Sequence, residues 1–340
     1  MALRVAGPSA IVAFGLNGLL ALLTAFSFAE LATAFPEAGG AYVYAKKVFP
    51  IGGGFAAGWV LWFAYAVACA LYALGFGGFF AYGLEQASGW LGRPLAAPPW
   101  LPVLAAVLVA VLYAALLCTR GARAGNLVSL LKVVVFAALI ASGLVALWAR
   151  PAGTLAQAFT PLFPFGFGGT LAAMGFTFIA LEGFEVVTTV SHEVRAPTRT
   201  IPRAMFLSIG ITLLVYLGLL FVMLTAGGPP AGGEAWRELG EHGEAAVAVA
   251  ARRASPVRSA RGFVTAAGLL ATFTALGAAM LGGSRVAYAM GCDRALPRGL
   301  ARLQGRSGNP VRAVLLTAAD RDRGSQPPPA RSRPRAPPPR

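Results

Sequence analysis

The sequence predicts an all-helical integral membrane protein, and two properties of the chain lead to this fold class. It is 57% hydrophobic and only 12% charged, with a mean hydropathy of +0.69, whereas soluble domains carry about 25% charged residues. Crossing a bilayer as a helix takes about 20 mostly apolar residues. Seven apolar runs approach or exceed this length, at residues 8–35, 51–84, 100–118, 125–148, 168–190, 204–226 and 262–290. We therefore predict a helical bundle over residues 1–319, with a partial eighth span that begins at Pro310.

The fifth run, residues 168–190, carries charge in its interior. Glu182, Gly183 and Glu185 lie roughly 12 Å or less from its end, at 1.5 Å per helical residue. A carboxylate near the bilayer centre costs about 2.5–3.5 kcal/mol on insertion scales, so such groups face a cavity or a partner. Glycine-interrupted helices line substrate sites in secondary transporters. The run therefore predicts a broken helix and favours transport. The alternative is structural, with carboxylates that cap the break or pair with Lys132 or an arginine.

Lys132 lies roughly 10 Å inside the run 125–148. Two interpretations of this residue are open. Its long stem could snorkel to the cytoplasmic interface. Alternatively, its ammonium group faces the bundle interior and gains and loses a proton during a transport cycle.

Basic residues are spread through the loops between the runs. The linkers at residues 36–50, 119–124, 191–203 and 291–309 hold eleven Lys and Arg, against eight on the opposite side. The positive-inside rule therefore predicts that these four linkers are cytoplasmic. Scattered arginines of this kind suit contact with anionic lipid and argue against a nucleic-acid partner.

The last residues differ from the rest of the chain. Thirteen of the twenty residues 321–340 are Pro or Arg, and proline at this density cannot continue a helix. We predict a disordered tail over residues 320–340. We interpret it as a loss of the original coding pattern, because it cuts an apolar run in mid-span.

Enzyme chemistry has little support. His192 and His242 lie in loops, and the sequence shows no nucleophile–base set, metal cluster or phosphate-binding loop. We therefore predict no enzymatic activity, cofactor or metal site. The loop at residues 227–261 contains glutamates at near-helical spacing among apolar residues. It is interpreted as a solvated loop helix, with a helix lying on the membrane surface as the alternative.

Three ordered motifs add a family resemblance. Residues 28–50, FAELATAFPEAGGAYVYAKKVFP, resemble the signature that follows the second helix of amino acid permeases in the amino acid–polyamine–organocation (APC) superfamily. The matching positions are Glu30, Leu31, Pro36, Gly39, Gly40, Tyr42, Tyr44, Lys46 and Lys47.

The other two motifs follow in the order that the family shows. Residues 176–205 are similar to the broken sixth helix and the loop after it, through Gly183, Phe184, Glu185, Glu193, Pro197, Ile201 and Pro202. Residues 282–297 are similar to the end of the eighth helix, through Ser284, Arg285, Tyr288, Ala289, Met290, Asp293, Leu296 and Pro297.

The resemblance implies a five-plus-five inverted repeat of the APC/LeuT type, with substrate held near the midplane between broken first and sixth helices. The substrate-binding residues it implies are Phe178, Ile179, Ala180, Leu181, Glu182 and Gly183. Lys132 matches a fifth-helix lysine that takes the place of a sodium ion and is tied to proton coupling. The residues assigned to that coupling are Lys132, Glu185, Thr272 and Thr274.

The resemblance also implies an incomplete bundle, which lacks the broken first helix and everything after the start of the ninth. We expect secondary-active transport of amino acids in the cytoplasmic membrane, by a parent of which this chain is an incomplete form. The alternatives are a permease for polyamines or other organic cations, and a non-transporting membrane remnant or accessory subunit. The amino acid carried, symport against exchange, and the oligomeric state are left open.

Overall fold

A computed structural model describes residues 2–37, 39–90, 97–120, 126–148, 150–151, 154–191, 194–227, 235–241, 250, 260–302 and 311–318 of the 340-residue chain. All regular secondary structure within these residues is helical. The predicted tail at 320–340 and the motif residue Glu193 lie outside the described residues.

The described helices are named in chain order. They are α1 (Ala2–Ala6), α2 (Ala10–Ala34), α3 (Ala41–Val48), α4 (Ile51–Trp90), α5 (Leu101–Arg120), α6 (Asn126–Trp148), α7 (Thr154–Ala158), α8 (Gly166–Phe178), α9 (Val186–Thr189), α10 (Pro197–Thr225), α11 (Ala235–Glu241), α12 (Ala260–Cys292) and α13 (Val311–Ala318). Single 3₁₀ turns occur at Gly7–Ser9, Ile179–Leu181 and Arg298–Ala301.

Among the described residues, six helical segments are long and apolar enough to cross a membrane. They are Ala2–Ala34, Ile51–Gly89, Leu101–Thr119, Ser129–Trp148, Pro197–Thr225 and Val264–Cys292. These six segments coincide with six of the seven predicted runs. Large apolar side chains such as Val145 and Leu214 lie exposed on their outer faces, where hydrocarbon replaces water as the solvent. The protein is thus a multi-pass helical membrane protein, as the composition predicted.

Helix α12 lies at the centre of the bundle, packed most extensively against α4. Its residues Leu276, Met280 and Met290 are fully buried, and they share one core with Ile201 and Met205 of α10. Helix α10 packs against α2, and α2 packs against α8. The broken fifth run is therefore attached to the bundle through α2.

Polar side chains join α2 to α8. The Asn17 side-chain amide donates to the Thr177 hydroxyl and to the Met174 carbonyl, both at 2.8 Å. Near the start of both helices, the hydroxyls of Ser9 and Thr170 are 2.8 Å apart. Lipid is as apolar as a leucine side chain, so close packing and hydrogen bonds of this kind set which helices associate.

We expect Asn17→Ala to destabilise the bundle by about 1–3 kcal/mol, because it leaves the buried Thr177 hydroxyl and the Met174 carbonyl without this donor. The free energy of unfolding in a detergent titration of the purified protein measures the effect. Ser208→Ala is the matched control, since the Ser208 hydroxyl only donates to Met205 of its own helix. Equal losses for the two variants would contradict the assigned role of Asn17.

The loop between α2 and α3 holds α9 in place. The Gly39 N–H donates to the Thr189 carbonyl at 3.2 Å. Gly40 has a φ of 54°, and a Cβ added there would lie 2.8 Å from the Thr188 hydroxyl. A residue with a side chain would meet both backbone strain and a clash at this position. The glycine pair of the first motif therefore permits the contact between this loop and the segment that follows the break.

The short helix α11 contacts protein through its apolar side. Trp236 and Leu239 are buried together with Leu3 and Ala6 of α1 in a cluster at one end of the bundle. This packing argues against a helix whose apolar side lies in the membrane surface. Residues 242–249 of the same loop lie outside the described residues.

Candidate functional site

The helix predicted at residues 168–190 is interrupted in its middle. Helix α8 ends at Phe178, a 3₁₀ turn covers Ile179–Leu181, and Glu182 is extended, with φ −75° and ψ 162°. Gly183 then has a φ of 102°, a conformation that residues with a Cβ rarely adopt. The chain becomes helical again only at Val186–Thr189. The interruption lies where the two glutamates and the glycine predicted it.

Glu185 stabilises the turn that follows the break. Its carboxylate accepts a hydrogen bond from the Gly183 N–H at 2.9 Å and a longer one from the Tyr65 hydroxyl at 3.4 Å. Tyr65 belongs to α4, so Glu185 connects the break to the long helix of the core. Among the described residues, no hydrogen bond or ion pair joins Lys132 to Glu182 or Glu185. For Glu185 the structure therefore supports the capping interpretation.

The residues predicted to bind substrate occupy one turn and differ in exposure. Phe178 is 48% exposed, Ala180 is partly buried and Leu181 is buried. Glu182 and Gly183 are exposed, and the side chain of Ile179 lies outside the described atoms. This arrangement leaves main-chain groups of an interrupted helix next to an open surface. Substrate binding by these six residues stays a prediction.

Lys132 reaches α12 rather than the membrane interface. Its Nζ donates to the Thr274 hydroxyl at 3.2 Å, and Thr274 itself is buried. Because the Thr274 hydroxyl donates its own hydrogen to the Leu270 carbonyl of the same helix, its oxygen accepts the hydrogen bond from Lys132 Nζ. This contact favours the interior interpretation of Lys132 over snorkelling.

Thr272 does not join this contact. Its hydroxyl donates to the Gly268 carbonyl at 2.8 Å, and its methyl group lies beside Gly75 of α4. Of the two threonines predicted for proton coupling, the structure brings only Thr274 to the lysine. A role for Thr272 stays a prediction without a contact that supports it.

At the end of the bundle predicted to be cytoplasmic, Asp293 joins the end of α12 to α3. Asp293 accepts hydrogen bonds from the Tyr42 hydroxyl at 2.9 Å and from Lys46 Nζ at 2.6 Å. Burial, followed by the hydrogen bond and the charge of Asp293, raises the pKa of Tyr42 above its ordinary value. The phenol therefore remains a neutral donor at physiological pH. The sequence motifs contained all three residues, but spacing alone did not pair them.

Two buried polar residues of the bundle were not predicted as functional candidates, although Arg285 was quoted as a motif position. Asn17 lies in the first run and Arg285 near the end of the last, and both are at least 95% buried. A search of the runs for every polar residue, rather than for charges far from the ends, would have found them.

Comparison with known proteins identifies the family. The model of the amino acid permease family matches residues 1–319. The chain belongs to the amino acid permease family. This match confirms the resemblance inferred from the three motifs. The broken helix and the contact between Lys132 and Thr274 are therefore features of a chain of the permease family.

Three curated relatives illustrate the similarity. This permease chain is 31% identical over 325 residues to the branched-chain amino acid permease BcaP of Lactococcus lactis subsp. cremoris. The match covers 90% of this chain and 66% of that protein. It is 26% identical over 228 residues to the branched-chain amino acid permease BcaP of Bacillus subtilis, and 26% identical over 227 residues to the methylthioribose transporter of that organism. Each of these two matches covers 64% of this chain and 48% of the relative. The chain thus spans between 48% and 66% of the length of these relatives.

Proposed function

We propose that this permease is a secondary-active amino acid carrier of the cytoplasmic membrane, and not an enzyme, which binds its substrate at the break between Phe178 and Gly183. The observation that carries the proposal is the interruption of a membrane helix inside the bundle of an amino acid permease. Alternating access around such a break is the mechanism that this architecture favours.

The chemistry of the break suits an amino acid. A helix that stops in mid-membrane leaves its last carbonyl groups without helical partners, and the negative end of its dipole attracts a cation. The carbonyl end of α8 therefore suits an ammonium group. Glu182 adds an exposed carboxylate beside it, and the partly exposed ring of Phe178 offers an apolar surface to a side chain. The carbonyl groups and Glu182 thus suit the ammonium group that amino acids share, and Phe178 suits an apolar side chain.

The Lys132–Thr274 contact supports proton coupling within this proposal. A lysine ammonium held half-buried in a membrane bundle is costly unless it is solvated or partnered. Gain and loss of its proton would therefore change the contact between α6 and α12. Exchange of amino acids without net proton movement is the alternative.

Uptake by proteoliposomes tests the function. The full-length protein is reconstituted, and labelled leucine, isoleucine and valine are supplied first, because two relatives are named for branched-chain amino acids. Putrescine and methylthioribose test the competing substrate classes. We expect uptake of at least one amino acid above protein-free liposomes, with stimulation by an inward proton gradient. A folded, reconstituted protein that takes up none of the amino acids would contradict the proposal and favour the accessory-subunit alternative.

A further inference from the structure

A cavity lies at the end of the bundle opposite the predicted cytoplasmic linkers. It is lined by Arg4 of α1, Phe165 directly before α8, and Trp236, Arg237 and Glu241 of α11, and it is a recess of about 330 Å³ that is open on one side. Pockets that hold small ligands measure about 300–1,000 Å³. The cavity therefore accommodates one small molecule. Phe165 and Phe178 flank opposite ends of α8, about 20 Å apart at 1.5 Å per residue, so the cavity is separate from the break.

Packing holds one wall of this cavity, at Trp236, while the charged side chains of Arg4, Arg237 and Glu241 lie exposed around it. The Trp236 side chain is only 3% exposed, and the Phe165 ring meets it edge-on, with centroids 5.6 Å apart and planes at 83°. The guanidinium of Arg237 lies 5.1 Å from the centroid of the Trp236 ring, within cation–π range. A Cβ added at Gly240 would lie 3.1 Å from the Arg4 Cα, which shows how closely α11 and α1 approach. The Trp236 ring is therefore pre-positioned, and a pre-positioned group loses less entropy when a ligand binds.

The lining has the chemistry of a zwitterion receptor. Two guanidinium groups suit a carboxylate, which they bind through paired hydrogen bonds, and the Glu241 carboxylate suits an ammonium group. The two aromatic rings supply an apolar surface between these charges. Among the described residues, the buried indole N–H of Trp236 has no acceptor. No single simple ion satisfies both signs of charge and the rings.

We propose that this cavity is an outer binding site for an α-amino acid with an apolar side chain. The choice of amino acids as ligands rests on the proposed function, whereas the requirement for opposite charges rests on the cavity alone. The distribution of Lys and Arg among the loops predicts that this face of the protein lies away from the cytoplasm, so the ligand binds on the outer side of the membrane.

Fluorine NMR of the protein labelled with 5-fluorotryptophan tests the proposal. The chain has six tryptophans, and the Trp236 signal is assigned by its loss in Trp236→Phe. L-leucine is titrated first, followed by isocaproate, which has only the carboxylate, and isoamylamine, which has only the amine. We expect a saturable shift of the Trp236 signal with L-leucine. Each single-charge analogue should bind with an affinity at least about tenfold lower than that of L-leucine. Arg4→Gln, Arg237→Gln and Glu241→Gln are expected to weaken leucine binding to a similar extent.

Arg298→Gln is the matched control, because Arg298 is an exposed arginine at the predicted cytoplasmic end. The five other tryptophan signals report whether each variant remains folded. A Trp236 signal that leucine does not move overturns the proposal, as does equal weakening by Arg298→Gln. Equal affinity for isocaproate overturns the zwitterion assignment. Uptake without a Trp236 shift rejects only this site, whereas a Trp236 shift without uptake supports the site and rejects the carrier.

Discussion

Lys132→Ala is expected to abolish the stimulation of amino acid uptake by an inward proton gradient and to lower the initial rate about tenfold or more. The reason is the contact between Lys132 Nζ and the Thr274 hydroxyl at 3.2 Å. A hydrogen bond to a charged group contributes about 1.5–3 kcal/mol, which corresponds to about tenfold or more in an equilibrium constant. Without the lysine, protonation can no longer change the contact between α6 and α12.

Three variants separate this role from a general loss of charge. Thr274→Val keeps the shape of the side chain and removes the acceptor, so we expect a smaller loss than for Lys132→Ala and an altered dependence on external pH. Lys47→Ala removes an exposed lysine that pairs with Glu37 at 2.8 Å on the side predicted to be cytoplasmic, and its uptake should resemble the wild type. Thr24→Val removes a hydroxyl that donates only to its own helix. Uptake by Lys132→Ala that follows the proton gradient as in the wild type would reject proton coupling through this residue.

The second large effect is expected for Gly183→Ala. Gly183 has a φ of 102°, and a Cβ added there would meet no described atom within 4 Å. Space is therefore available, and the cost comes from the backbone alone, at about 1–3 kcal/mol for a residue in such a sparsely populated conformation. Relief of this strain would move the Gly183 N–H away from the Glu185 carboxylate. We expect uptake to fall strongly while the protein still inserts and folds.

Gly175→Ala provides the matched control on the same predicted span. Gly175 lies inside α8, and a Cβ there also meets no described atom within 4 Å. Alanine in a helix interior is favoured over glycine by about 0.5–1 kcal/mol, so this variant should be equal to the wild type or more stable. Uptake and thermal unfolding in detergent are measured for both variants. Equal behaviour of the two variants would show that the conformation at Gly183 is not needed.

The predicted and observed folds agree where hydropathy decides. Six runs became single membrane helices, and the run with Glu182, Gly183 and Glu185 became an interrupted one. A summed property over about 20 residues is insensitive to how each helix is rotated. A carboxylate inside the membrane likewise needs a cavity or a partner, whichever residue supplies it, and the break was therefore foreseeable without knowing what contacts it.

The partners of individual side chains were not foreseeable in this way. Both Thr272 and Thr274 were candidates for contact with Lys132, yet only Thr274 meets it. Successive residues of a helix point about 100° apart. Thr272 and Thr274, which are two positions apart, therefore face different neighbours: Thr272 lies beside α4, and Thr274 contacts Lys132 of α6. Glu185 was assigned to proton coupling, and the structure also gives it a capping contact with Gly183.

The sequence by itself therefore determined that this is a helical membrane protein, where its spans lie, which span is broken, and to which family it belongs. These are properties of composition and of order along the chain. Only the tertiary structure decided which helices contact one another through Asn17, which threonine accepts the hydrogen bond of Lys132, and how α1 and α11 enclose a cavity. Such contacts depend on the rotation and mutual position of helices distant in sequence, which no local pattern of residues records.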